Sequence, residues 1–289
     1  CKAGYFTSAA ESTACGQCLE GTYTNAVGSQ ACISCTPGRY GPKKGQTSCP
    51  ECKAGTYSAS INLVSCSECP AGTFSNMRAA ATPNVCTLCS PGKYGEDTGQ
   101  TSCQACAKGQ YTSDFGEKQC AKCPRGKYAN KGSGLASTGC TDCPKGRYAG
   151  SKGHTSCSLC QEGKFADVTN SEECSECVEG QYQDKPGQSN CILCPLGKYL
   201  PDLGGKSETS CVKCPRGKYS SATGASECVR CPVGKYQDED GKGECVDCPS
   251  GRYGVSQEEG ANSLANGCLI CTAGKFQAAT GATQCTDCQ

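Results

Sequence analysis

Residues 35–49 read CTPGRYGPKKGQTSC, and after two further residues Cys52 opens the same pattern again. Written generally, the stretch is C-x-x-G-x-[YF], a variable turn, then [GN]-x-x-x-C-x-x-C. Working outward, C-x-x-C pairs begin at Cys15, Cys32, Cys49, Cys66, Cys86, Cys103, Cys120, Cys140, Cys157, Cys174, Cys191, Cys211, Cys228, Cys245, Cys268 and Cys285, with Cys1 alone in front. Eleven of the fifteen steps are 17 residues, three are 20 and one is 23. A fixed period of this length marks a repeat architecture whose units pack mainly on their neighbours. We therefore expect residues 1–289 to be one continuous array of sixteen cysteine-rich units, a segment of a longer secreted polypeptide.

Composition says how such units must hold together. Leu, Ile, Val and Phe number only 30 in 289 residues, too few for a sizeable apolar core, while 33 cysteines exceed the level that signals a disulfide scaffold. Covalent cross-links take the place of the core, which requires an oxidising compartment, so the expected location is extracellular or at the cell surface. The net charge of +1 gives no argument for nucleic acid. No stretch approaches the ~20 apolar residues of a membrane span.

Glycine stands third after the leading cysteine in all sixteen units, from Gly4 to Gly274, and Tyr or Phe stands fifth, from Phe6 to Phe276. Each ring is expected to cover a disulfide or a neighbour's backbone as a miniature core. In the eleven 17-residue steps the place four before the closing pair is Gly or Asn, as at Gly28, Gly45, Asn62 and Asn170. These residues best tolerate positive φ, so the chain should turn there. Each unit then reads as an irregular β-hairpin, and helix periodicity is absent. The fold class expected is small disulfide-rich β, an elongated solenoid of about sixteen 17-residue hairpins with no helix of note.

Spacing alone does not fix connectivity. The simplest scheme joins Cys1 to Cys15, Cys18 to Cys32, Cys35 to Cys49, Cys52 to Cys66, Cys69 to Cys86, Cys89 to Cys103, Cys106 to Cys120 and Cys123 to Cys140. It continues with Cys143 to Cys157, Cys160 to Cys174, Cys177 to Cys191, Cys194 to Cys211, Cys214 to Cys228, Cys231 to Cys245, Cys248 to Cys268 and Cys271 to Cys285, leaving Cys288 over. All length variation then falls inside the rings, where a few extra residues add little closure entropy. The alternative, zinc held by successive C-x-x-C knuckles, predicts a period of two units rather than the observed one.

The motifs CPAGTF at Cys69, CPRGKY at Cys123 and Cys214, and CPVGKY at Cys231, each followed by a closing C-x-x-C, resemble the ephrin-receptor-like cysteine-rich repeat and the first sub-module of tumour-necrosis-factor-receptor cysteine-rich domains. The resemblance spans essentially the whole chain and implies that each leading cysteine pairs with the next one in sequence. It also implies structural, adhesive or receptor-ectodomain roles. The ligand-binding and kinase parts of ephrin receptors have no counterpart here.

Candidate chemistry is sparse. His154, the only histidine, replaces the glutamine found at Gln46 and Gln100, and no acid, base or nucleophile constellation forms around it. The chain is expected to be no enzyme and to need no cofactor or metal. Asp238, Glu239 and Asp240 hint at calcium but lack the remaining spaced ligands. Ten bases, among them Arg39, Lys164, Lys198, Lys218 and Lys235, precede the aromatic and should form a basic track on the face opposite the rings. An anionic glycan is one candidate for that track, and a solvated face balanced by the 27 acidic residues is the plainer reading.

The long units are the fifth, eighth, twelfth and fifteenth, and they carry Met77, Leu135, Leu200, Leu203, Val255 and Leu264. Apolar tips recurring at gaps of three and four suggest assembly contacts along one side of a rod. The function expected is a structural, rod-forming component of an extracellular filament or cell-surface appendage, associating with itself or with other filament proteins. The alternative is a ligand-binding or adhesive ectodomain stalk of a cell-surface receptor.

Overall fold

The computed structural model describes residues 1–8, 14–132, 134–135 and 139–288, and the side chain of Leu135 lies outside the described part. Each ring of sequence is one hairpin. At its start the chain reverses in a β-turn, as where the Lys164 amide donates to the Gln161 carbonyl at 3.0 Å, with Gly163 at φ 78° in the third place. A side chain there would be strained, which explains the glycine of the motif. Two-residue strands then pair antiparallel, Lys164 opposite Glu176 and Phe165 opposite Ser175, so the inner residues of each C-x-x-C form the closing strand. About fifteen such small sheets recur, one of them gaining a parallel third strand at Gly134–Leu135.

Sixteen disulfides close the hairpins, from Cys1–Cys15 to Cys271–Cys285, each joining a leading cysteine to the next one in sequence. Their Cα atoms stand 5.4–5.9 Å apart, within the ordinary range. Cys288 is exposed and free. The expected turn residues all have positive φ, including Asn62 at 60° and Asn170 at 64°.

The hairpins fall into two compact units, Cys1–Thr141 with Lys152–Ser156, and Asp142–Ser151 with Cys157–Gln289. Inside each, successive hairpins are joined by the same backbone ladder. In the first, Gly21 donates to Gly41 (2.9 Å), Thr24 to Gln46 (3.2 Å) and Gly45 to Cys18 (2.8 Å). In the second, Gly180 donates to Leu200 (2.8 Å), Leu200 to Ala225 (3.0 Å) and Gly224 to Cys194 (2.8 Å). Reach extends to the next hairpin but one, because in most hairpins the glycine after the leading cysteine lies against the turn carbonyl two hairpins on: Gly21 against Asn62, Gly180 against Gly224.

Burial follows this plan. Leading cysteines such as Cys18, Cys52, Cys143 and Cys194 are fully buried, whereas most aromatic rings are half-buried. Tyr111 packs on the Cys123–Cys140 bridge of the following hairpin with Ala129, and Tyr182 packs on Cys194–Cys211 with Leu200. In both clusters a ring lies over the next hairpin's disulfide.

The long hairpins correct one expectation. At three of the four the extra residues wind into a helical turn just before the closing cysteine, at Pro83–Val85, Glu208–Ser210 and Leu264–Gly267, while those of the eighth lie largely outside the described residues. The last is fastened by a capping box in which Ser263 and Asn266 bond reciprocally. The positive-φ turn is kept ahead of each insertion, by Ala79, Gly204 and Gly260. Leu200 is only 4% exposed and belongs to the core, so it is not an assembly contact. Val255 and Leu264 are half-buried, and among these residues Met77 and Leu203 are exposed.

Candidate functional site

Chemistry-bearing groups are mostly absorbed by the architecture. His154 follows the turn glycine Gly153, and its carbonyl accepts from the Ala129 amide at 3.0 Å. The three acids at 238–240 do not converge on a common point: Glu239 pairs with Lys242 at 2.8 Å, and Asp240 Oδ1 accepts the Arg216 amide at 3.0 Å. Lys242 holds the Glu239 carboxyl below its ordinary pKa, and Glu239 raises the ammonium in return. Among the described residues no three His, Cys, Asp or Glu side chains are grouped to hold a metal ion.

The fold moves the titration of Tyr182. Burial, with the carboxylates of Glu208 and Asp184, raises its pKa, and Lys198 opposes them. The neutral phenol is therefore favoured in the folded chain. Its contribution to stability is complete below the unfolded value of about 10 and is lost as pH rises through the folded one. In an absorbance titration, the Tyr182 phenol should ionise later than a free phenol, and Tyr182→Phe should remove that late step. A Tyr182→Phe curve with the late step intact would place the shifted group elsewhere.

The basic track is largely compensated. Members of it make cross-strand ion pairs, among them Arg39–Glu51 (2.7 Å), Lys164–Glu176 (3.1 Å), Lys198–Glu208 (2.9 Å), Lys235–Asp247 (2.8 Å) and Lys275–Asp287 (3.0 Å). These pairs face solvent, where screening leaves each of them little net contribution to stability. The hydrogen bond that Lys235 donates to the Asp247 carboxylate raises the pKa of the lysine. Arg39, Arg147 and Arg252 also donate to the carbonyl of their hairpin's closing cysteine.

The apolar surface lies elsewhere than in the long loops. Opposite each ring stands the first inner residue of the closing pair. In five consecutive hairpins of the second compact unit it is aliphatic and exposed: Ile192 beside Tyr182, Val212 beside Tyr199, Val229 beside Tyr219, Val246 beside Tyr236 and Leu269 beside Tyr253. A groove of ≈ 770 Å³ on this face includes Leu196, Tyr219 and Val246. In the first compact unit the same place holds mostly small or polar residues, such as Gly16, Ser67, Thr87 and Gln104. Sequence reading missed this run because the residue's partner and face become visible only once the register is known.

No helix among the described residues is long and apolar enough to cross a membrane. The comparison with curated proteins gives no match. The family model described as "Tyrosine-protein kinase ephrin type A/B receptor-like" matches residues 4–48, 38–86, 163–211 and 217–265, together more than half of the chain. Each match spans two or three successive disulfide-closed hairpins, cysteine-rich repeats of extracellular ectodomain type. With hairpin, ring and bridge recurring in register from one match to the next, the chain belongs to the tyrosine-protein kinase ephrin type A/B receptor-like family.

Proposed function

We propose that the chain is a structural component of an extracellular filament or cell-surface appendage, without catalytic activity and without a cofactor. The observation that carries this reading is the use of nearly every distinctive residue for construction: leading glycine, turn glycine, ring and cysteine each serve the link to the next hairpin. Lateral contacts to a second copy or to another filament protein are made through the run Ile192, Val212, Val229, Val246 and Leu269, which a lone chain leaves in water. Met77 and Leu203 stand apart from that run.

The test is a triple substitution, Val212→Thr, Val229→Thr and Val246→Thr, which keeps the β-branched shape and all disulfides. Sedimentation should show self-association weakened at least tenfold, about 1.4 kcal/mol. Unchanged association in the variant, or native material that forms no filament under negative stain, would leave the ectodomain of a cell-surface receptor as the better reading.

A further inference from the structure

Across the array, the residue before the aromatic faces the second inner residue of the closing pair, and where both are charged they are usually of opposite sign. Arg39 faces Glu51, Lys164 faces Glu176, Lys235 faces Asp247 and Lys275 faces Asp287. Two consecutive hairpins break the rule: Lys198 faces Lys213, and Lys218 faces Arg230. Among the described registers these are the like-charged pairs, and they are adjacent. Like charges directly opposite one another destabilise a strand pair, so the local sequence works against its own fold here.

The inserted turn of the twelfth hairpin relieves one member, since Glu208 takes the Lys198 ammonium at 2.9 Å. No described carboxylate forms an ion pair with Lys213, Lys218 or Arg230. Residues 194–231 hold six bases against three acids, in a chain whose net charge is only +1. The two hairpins are hydrogen-bonded to one another, Gly197 to Ser220 and Leu200 to Ala225. Lys213, Lys218 and Arg230 therefore stand on the closing and opening strands of two adjoining hairpins, a strip of cations by register. It lies on the strand face opposite Tyr199, Val212, Tyr219 and Val229, because neighbouring strand residues point to opposite faces.

We propose that this strip, Lys213, Lys218 and Arg230, binds an anionic polysaccharide through its sulfate or carboxylate groups. The strip carries cations on adjacent two-residue strands and interposes no apolar anchor, as suits a hydrated linear polyanion better than a protein partner, whose interface would need a buried apolar centre. Charge confined to two hairpins of a near-neutral chain does not suit nucleic acid, which draws on many phosphate contacts. The inference stands apart from the filament reading and uses the opposite face.

The experiment uses the full chain with two probes, a heparin dodecasaccharide for sulfate and oligogalacturonate for carboxylate, titrated by calorimetry at low and physiological salt. Binding should weaken steeply with salt. The informative variant is Lys213→Glu with Arg230→Glu, which installs the carboxylates that Glu176 and Asp247 supply in sister hairpins. Glu68 and Glu176 already lie over a turn glycine as Lys213 lies over Gly241, so the exchange fits. The variant should keep its disulfides and melt no lower than wild type while losing at least tenfold in affinity. Preference between the probes tells sulfate from carboxylate. The proposal is overturned if wild type binds neither probe, if the variant binds as wild type does, or if polyglutamate competes as well as the polysaccharide.

Discussion

Gly180→Ala should unfasten three hairpins at once, whereas Gly28→Ala should loosen no more than its own turn, although both glycines have positive φ, 76° and 73°. A methyl group at Gly180 would clash with the Gly224 carbonyl oxygen and lie 2.5 Å from its carbon, while at Gly28 it would meet nothing within 4 Å. Both substitutions carry left-handed strain of about 1–2 kcal/mol. Only Gly180→Ala adds overpacking of about 1–3 kcal/mol, against backbone that cannot swing aside. The Gly224 segment is held by its amide to Cys194 and by the Ala225 carbonyl to Leu200, so relief means breaking those bonds. Hydrogen exchange should rise in the hairpins closed by Cys191, Cys211 and Cys228. Wild-type exchange in Gly180→Ala would show that the two-hairpin interlock does not hold the array together.

That contrast marks where sequence reading ends. The turn glycines are legible because Asn62 and Asn170 stand in for them, and the pair of residue types points to positive φ. The glycine three after each leading cysteine shows no such alternative, and its second duty, admitting a carbonyl from two hairpins away, involves no side chain on either partner. Nothing in composition or period reports a contact between two bare backbones. The disulfide rings are legible for the opposite reason, since their chemistry is confined to one residue type at constant spacing. Three of the long hairpins mislead because their insertions are single helical turns, too short for a 3.6-residue period; Ser263 with Asn266 three residues on is the cap that hints at one of them. Leu200 reads as a loop tip in sequence, yet it immediately follows a ring and falls on the same strand end as buried Ala129 and Ala149. The like-charged pairs become visible once Lys213 and Arg230 have been placed opposite Lys198 and Lys218.

Removing one bridge tests how far a hairpin's influence travels. Replacing Cys194 and Cys211 together by alanine opens a loop with sequence separation 17, a loss of about 3 kcal/mol from the closure term. It also strips the cluster in which Tyr182 and Leu200 pack against the bridge. For a unit this small, the sum should leave the twelfth hairpin open in a measurable fraction of molecules. The ladder then sets the limits of the damage. The tenth and eleventh hairpins lean on the twelfth through Gly163 against Gly204 and Gly180 to Leu200, and the thirteenth and fourteenth through Gly224 to Cys194 and Gly197 against Gly241. Exchange and tryptic cleavage should therefore increase between residues 160 and 245, while hairpins of the first compact unit, such as Cys18–Cys32 and Cys52–Cys66, stay protected as in the parent chain. Contacts limited to the next two hairpins cannot transmit the opening further, because each remaining ring is closed by its own covalent bond. Loss of protection throughout the chain from this one bridge would mean that the hairpins fold as a single cooperative body, contrary to the local ladder.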